Sequence, residues 1–410
     1  MVNKKIQNKK RENSNNSSDD FFVKSWIILA VGFLTFGFLV FSTQLISPFL
    51  EPVGLSVSAM GANINVSFVS PTSLNNTNVY TDYLGVFINI TDADNLDNFV
   101  FNWNGNNFTY YDDSLVLILN LDNVSALGED DATVKDFSQY DNSGQIINSS
   151  YNSSGKYGSS LDFDGSTTFV NISNSASLNI ENEITVSAWI NANEWETNSH
   201  EGTIIGKDDW HDSDAHGYVL RTGSNGKLSF VIAKDNSNQW PEALTTSVMS
   251  ADTWHHVAGT FNGTHLIAYV DGDIEKTTII PYTLIETSTY PLELGRSPFD
   301  DARQFNGLID EVRVWNRSLS EEELQQVYLS NLRKYDSGEW EFYINETDLT
   351  IGNTYNYSGY VIDASSNSDD TGIRINILAS AQGVPEFSDY ALMLILVIVG
   401  GCIYKRRSFV

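Results

Sequence analysis

The central part of the chain, residues 114–328, is written in period two, apolar then polar, between frequent turn dipeptides. In Ile184-Thr-Val-Ser-Ala-Trp-Ile190, residues Ile184, Val186, Ala188 and Ile190 fall on one face and Trp189 on the other. Trp254-His-His-Val-Ala-Gly-Thr-Phe261 meets Leu266-Ile-Ala-Tyr-Val270 across Asn262-Gly263, and Asp271-Gly272 turns the chain again. Such pairs supply the positive φ of tight hairpins. The pattern predicts an all-β fold: antiparallel sheets facing each other, a large sandwich or jelly roll. Ile184, Val186, Trp254, Phe261, Val312 and Val314 are its expected core. Alternation sets Trp189 and Trp315 on an outer face. Residues 114–121 read as the entering strand and 136–150 as a polar rim loop. One helix is expected. Ser320 stands three residues before Glu323, a capping box, and Leu324, Val327, Tyr328 and Leu332 follow at helical spacing.

Shorter alternating runs flank this region. Ile64–Phe68, Leu84–Ile90, Phe99–Trp103 and Phe108–Tyr111 precede it; Trp340–Ile344, Leu349–Tyr357, Tyr360–Asp363 and Ile373–Ile377 follow. Neither group has enough strands to close a sandwich alone. The expected organisation is one small sandwich in two halves, 60–112 and 333–380, with the jelly roll of 113–332 inserted between them. Chain ends that lie close together at a domain surface permit such insertion. The plainer arrangement is two incomplete segments packed against the large domain.

Both chain ends are apolar. A basic, polar segment covers 1–25, with Lys4, Lys5, Lys9, Lys10 and Arg11, and predicts a cytoplasmic start. Residues 26–47 read as a transmembrane anchor or as a signal sequence that is removed. Residues 384–407 carry an apolar stretch stopped by Lys405, Arg406 and Arg407, a sorting signal or transmembrane segment. This layout predicts hydrophobic helices at both ends, a cell-membrane location and the main domains outside.

Formal charge is -29 and the one cysteine is Cys402. The acidic balance argues against nucleic acid as a partner, and no intramolecular disulfide is available. Asn-x-Ser/Thr acceptors recur through the middle, among them Asn65, Asn89, Asn171 and Asn345, which fits an exported glycoprotein or a composition rich in Asn, Ser and Thr.

Five stretches carry a resemblance: Leu161-Asp-Phe-Asp-Gly165, Val186-Ser-Ala-Trp-Ile190, Trp254-His-His-Val257, Tyr269-Val-Asp-Gly272 and Phe305-Asn-Gly-Leu-Ile-Asp-Glu-Val-Arg-Val-Trp315. Together they resemble laminin G-like, concanavalin A-like jelly-roll domains. The resemblance implies roles in carbohydrate or protein binding and adhesion, with calcium at a loop edge in many members. The spacing of Leu349, Gly352, Tyr355, Tyr357, Val361 and Asp363 resembles the tyrosine corner of immunoglobulin-like domains. Pro385-Glu-Phe387, with the apolar stretch and basic cluster after it, resembles the Pro-Glu-Phe sorting signal of archaeal surface proteins. It implies a sorting transpeptidase as a partner and an archaeal cell envelope as the setting.

The sequence offers little for catalysis. Glycoside cleavage needs two carboxylates flanking one bond, whereas Asp310 and Glu311 are neighbours and point apart on a regular strand. The histidines match no zinc motif, and no nucleophile has an evident base. Asp208, Asp209, Asp212 and Asp214 read as one crowded loop. Asp162, Asp164 and Asp310 are the candidate metal ligands, with calcium as the cofactor; the same residues also suit turn capping. Trp210 and Trp240 are the candidate ligand contacts, with Tyr218 beside them; aromatic rings stack on sugars but also fill cores. The function expected is non-catalytic binding of a glycan or a neighbouring envelope protein. The alternatives are a structural spacer or coat component, and a glycan hydrolase.

Overall fold

The alternating runs pair in the register their turns dictate. In the computed structural model, Ile184–Ala192 lies between His255–Phe261 and Asn306–Trp315, antiparallel to both. The structure describes residues 64–380 apart from 196–201, 212–213, 224, 235–239, 282 and 301–302. The apolar segments at 26–47 and 384–407 lie outside the described residues, and among the described residues no helix is long and apolar enough to cross a membrane.

Two eight-stranded sheets form the large sandwich. The first runs from Asp273–Ile279 through His265–Val270, His255–Phe261, Ile184–Ala192, Asn306–Trp315 and Ser160–Asp164 to Ser150–Asn152, with Leu115–Leu119 also pairing to Asn306–Trp315. The second runs from Glu242–Leu244 through Lys227–Ile232, Asp214–Gly223, Thr203–His211, Leu292–Leu294, Phe169–Ile172 and Gly144–Ile147 to Thr133–Val134. The core between them contains Ile184, Val186, Ala188, Ile190, Phe261, Val312 and Val314. Trp254, expected there, is only partly buried and lies at the start of its strand, outside the core cluster. The sheets approach closely where Gly259 faces Phe230: an added Cβ would sit 2.2 Å from the ring, so hydrogen alone fits.

Two expected loops are structured. Residues 136–150 carry the Gly144–Ile147 strand, paired with Phe169–Ile172. Asp208 and Asp209 belong to Thr203–His211, which pairs antiparallel with Asp214–Gly223, so these acids lie on strands; Asp212 lies outside the described residues. Asp208 is buried and accepts from the Ser297 hydroxyl at 2.9 Å.

The flanking runs pair with one another. Leu84–Thr91 pairs with Glu339–Glu346, and Leu96–Trp103 with Thr354–Asp363; Thr77–Val79 runs parallel to Arg374–Leu378. A four-stranded and a six-stranded sheet result, each drawing strands from both sides of the large sandwich. Phe99, Phe101, Phe342, Tyr357 and Trp340 fill the space between them. The Tyr355 hydroxyl accepts from the Thr350 backbone N–H at 2.8 Å, tying the strand to the turn before it.

The helix Glu321–Leu329 starts at the expected cap. Ser320 accepts from the Glu323 N–H, and the Glu323 carboxylate accepts from the Ser320 N–H. Leu324 and Val327 pack with Trp315, Tyr269 and Ala258 on the outer face of the first large sheet, in the same apolar cluster that fills the small sandwich. Trp189 is covered on this face too, stacked on Tyr328 at 5.6 Å with the Lys156 ammonium 3.8 Å above its ring. The described residues lie within one compact unit. The helix and this shared cluster join the two sandwiches.

Candidate functional site

Asp310 and Glu311 do not point apart. Opposite Ala188 the register slips, so Asp310 pairs with Trp189 while Arg313 pairs with Ser187, and the extra residue forms a β-bulge. Glu311 takes φ 49°, a left-handed conformation uncommon for a residue with a side chain. The bulge turns both carboxylates toward the outer face while Val312 and Val314 still enter the core. The inserted residue shifts the parity, so that Ile309 before it and Val312 and Val314 after it all enter the core.

Neither carboxylate is open to solvent: Asp310 is 0% exposed and Glu311 4%. Asp310 accepts from the backbone N–H groups of Tyr157 and Glu311. Glu311 accepts from Asn120, Asn331 and Arg313. Arg313 also donates to Asn331 and to the Leu332 carbonyl, and the Asn120 side chain bonds both backbone groups of the 330–336 strand that lie nearest, Leu332 C=O and Lys334 N–H. This buried network therefore stitches a strand of the large sandwich to the Ser330–Asp336 strand of the small one. Burial, and then the charge of Glu311, raises the Asp310 carboxyl well above its usual range; burial raises Glu311, against the pull of Arg313. Both acids are thus biased toward the neutral form, Glu311 less so because it faces the guanidinium.

Each of the expected calcium ligands has protein partners of its own. Asp164 caps its own turn, accepting from the N–H groups of Ser166, Thr167 and Thr168 and from the hydroxyls of Thr167 and Thr168. Burial opposes its ionisation slightly, but these bonds hold its carboxyl well below the ordinary range. Asp162 accepts from Asn152 at 3.4 Å, and Asp310 faces the Tyr157 N–H. Calcium requires six to eight converging oxygens. No group of three or more His, Cys, Asp or Glu side chains among the described residues is placed to hold a metal ion.

The aromatic candidates separate. Tyr218 is buried in the core, its hydroxyl donating to the Leu178 carbonyl. Trp210 lies at the end of Thr203–His211 opposite Ala215, on a strand rather than in a loop. Trp240 is half-buried in the connection between Lys227–Ile232 and Glu242–Leu244.

The sequence reading missed one constellation. His255 Nδ1 lies 2.8 Å from Asp271 Oδ2, and its Nε2 lies 3.0 Å from the Ser250 Oγ. The order hydroxyl, imidazole, carboxylate is that of a nucleophile with its base and orienting acid. Asp271 also accepts the His256 N–H at 2.9 Å, so the same group clips the hairpin of His255–Phe261 and His265–Val270. Acyl transfer needs, besides these, donors aimed at an oxyanion. Ser250 reaches His255 locally, from five residues before it, whereas Asp271 is brought to it by the hairpin.

A cleft of about 260 Å³ lies at the seam between the sandwiches, lined by Phe87, Tyr157, Asn331, Arg333, Glu341 and Tyr343 together with Gly158. Arg333 reaches Glu341 at 3.2 Å and Asp122 at 3.6 Å.

Ionisation of the buried acids sets a pH dependence. Burial pushes Glu129 and Glu346 up to about 7, against hydrogen bonds that lower them, and raises Asp310 and Glu311 as well. Between pH 4.5 and 7 the folded state thus holds protons that the unfolded chain releases, so stability falls as pH rises through this window. Below it, Asp164 and Asp271 act the other way. Burial opposes the lowering of Asp271, but its bonds from His255 and His256 outweigh it, and that stability is lost on acidification. Urea unfolding is expected to show a higher midpoint at pH 5 than at pH 7.5 and a fall again below pH 4; a midpoint that rises steadily from pH 5 to 7.5 contradicts this assignment.

Residues 164–325 match the sequence profile of the Concanavalin A-like lectin/glucanases superfamily. Comparison with curated protein sequences gives no match. Among solved structures, the chain is similar to domain 4 of AbnA, a GH43 extracellular arabinanase from Geobacillus stearothermophilus, in complex with arabinotriose: 19% identity, 52% of this chain and 98% of that one covered, TM-score 0.42. It is similar also to the binding domain of Paraclostridial Mosquitocidal Protein 1, at 17% identity, 61% and 64% coverage and TM-score 0.42. A Trypanosoma rangeli sialidase matches at 16% identity over 54% of this chain and 33% of that one, with TM-score 0.38. Residues 164–325, with their two facing antiparallel sheets, are a domain of the concanavalin A-like lectin/glucanase superfamily.

Proposed function

We propose that this is a non-catalytic cell-surface protein that binds a glycan. The reading is carried by the state of Asp310 and Glu311. The bulge brings these two acids to one face, as glycoside cleavage would need, yet the seam encloses them and their oxygens are committed to backbone and side-chain donors. A glycan hydrolase must present its acid and its nucleophile or base to the sugar. What the surface offers instead is half-buried rings beside hydrogen-bonding groups, at Trp240 and in the seam cleft, on a rigid sheet scaffold.

The setting follows from the sequence. The 26–47 and 384–407 segments hold the protein in or pass it through the cell membrane, with the sandwiches outside. The Pro385-Glu-Phe387 signal fits processing by a sorting transpeptidase in an archaeal envelope, and the small sandwich fits an immunoglobulin-like module. A neighbouring envelope protein is the other partner suited to this surface. A structural coat component would use the same scaffold with no soluble ligand.

Ser250, His255 and Asp271 favour a second reading, hydrolysis of an ester through a serine nucleophile. Treating the full chain with a fluorophosphonate, and assaying reducing-sugar release from polysaccharides in parallel, separates the two. Neither labelling of Ser250 nor sugar release is expected. Labelling that Ser250→Ala and His255→Ala both abolish would establish the esterase reading, and sugar release would establish the glycosidase.

A further inference from the structure

We propose that the seam cleft is the glycan site, and that it takes a neutral sugar ring in preference to an acidic one. The inference rests on the glycan-binding reading and commits it to one place and one ligand class.

The register builds the floor. Tyr343 stands directly opposite Phe87 on one side and Asn331 on the other, and Glu341 stands opposite Asn89 and Arg333. These are neighbouring rungs on one face of the four-stranded sheet. Their partners in the alternation, Val86, Ile88, Phe342 and Ile344, fill the small sandwich. The face that carries Phe87 and Tyr343 is therefore the outer one. Their ring centroids are 4.4 Å apart and inclined by 36°, which makes a continuous aromatic floor.

The opposite wall comes from the large sandwich, at Tyr157 and Gly158. Gly158 has φ 60°, and a Cβ there would lie 1.8 Å from Asp122 Oδ1. The neighbouring Ser159 N–H donates to that same oxygen at 3.0 Å. The wall thus packs tightly against Asp122 and carries no side chain at this point, so the hollow stays open between two modules whose other contacts are close-packed.

The chemistry fits a hydroxylated ring with one apolar face. Aromatic floors take the C–H face of such a ring, and a few placed polar groups fix its orientation. Arg333 has five donors, more than its contacts with Glu341 and Asp122 use, and Glu341 offers acceptor lone pairs. The guanidinium already faces two carboxylates here, within a chain of net charge -29, so a carboxylated or sialylated sugar meets repulsion from these acids. The volume, about 260 Å³, sits just under the roughly 300–1,000 Å³ typical of small-molecule sites and suits one ring of a longer chain.

The test is calorimetric titration of the full chain with cello-, malto- and chito-oligosaccharides, and with oligogalacturonate and sialyllactose. At least one neutral series should bind, with the acidic ones at least about tenfold weaker, which corresponds to about 1.4 kcal/mol. Tyr343→Ala should weaken the neutral ligand about tenfold or more with the circular dichroism spectrum unchanged. Tyr343→Leu, which keeps apolar bulk and removes the ring, gives the same readout should the alanine variant unfold. Full affinity in Tyr343→Leu together with loss in Trp240→Ala would overturn the cleft and leave glycan binding standing. Preference for the acidic sugars would overturn the ligand class. Binding of none of these sugars would defeat the inference and the reading beneath it together.

Discussion

Replacing Arg313 by methionine is expected to lower stability by about 3–5 kcal/mol, because it leaves a buried carboxylate without its counter-charge. Arg313 is 4% exposed and lies 3.1 Å from Glu311, which is equally buried, with Asp310 next in the chain. Methionine fills much of the same volume, so the loss reads as electrostatic rather than as a cavity. The guanidinium also satisfies Asn331 and the Leu332 carbonyl, so the small sandwich loses partners at the same moment. The penalty should be smaller at pH 5 than at pH 7.5: without Arg313 only the bonds from Asn120 and Asn331 oppose protonation of Glu311, and the neutral acid tolerates burial. Urea unfolding at the two pH values measures both effects. A loss below about 1 kcal/mol at pH 7.5 would show that the network does not bind the sandwiches together.

The second large effect is expected from Trp340→Ala, at about 3–5 kcal/mol. Trp340 is fully buried and its indole N–H donates to the Ala93 carbonyl at 3.1 Å. Its ring meets Tyr111 and Phe137 edge-on, at 5.7 and 6.3 Å. Tyr111 ends the first half of the small sandwich, and Phe137 belongs to the large one. The cavity would therefore open where the chain passes from one sandwich into the other. The melting temperature should fall by roughly 6 °C or more in a single transition. Two separated transitions in the variant would show instead that the sandwiches unfold independently when this contact is removed.

Alternation carried the sequence reading furthest. It placed Ile184, Val186, Phe261, Val312 and Val314 in one core, and Trp189 and Trp315 on the outer face, because side-chain direction along a strand depends only on parity. The Ser320–Glu323 box located the helix, since both capping bonds are local. Parity fails where a residue is inserted. The bulge at Asp310–Val312 reversed the expected separation of Asp310 and Glu311. Trp254 lies at a strand end, where parity says little about depth, and it is only partly buried.

Contacts distant in sequence were invisible for a different reason. Asn120, Glu311 and Asn331 meet only after both sandwiches have formed, and no spacing rule connects them. Asp271 meets His255 only across a hairpin. Turn capping and cation binding draw on the same aspartates, and at Asp164 the turn takes the acceptors.

The claim that this surface recognises glycans is tested most directly by a glycan array probed with the full chain, once with calcium and once with chelator. Binding to a defined set of glycans, unchanged by chelator, is the expected result, because Asp164 and Asp310 already accept hydrogen bonds from their own turns and neighbours. Absence of binding under both conditions would contradict the account and leave the structural role. Binding abolished by chelator would show that a calcium site carries recognition instead.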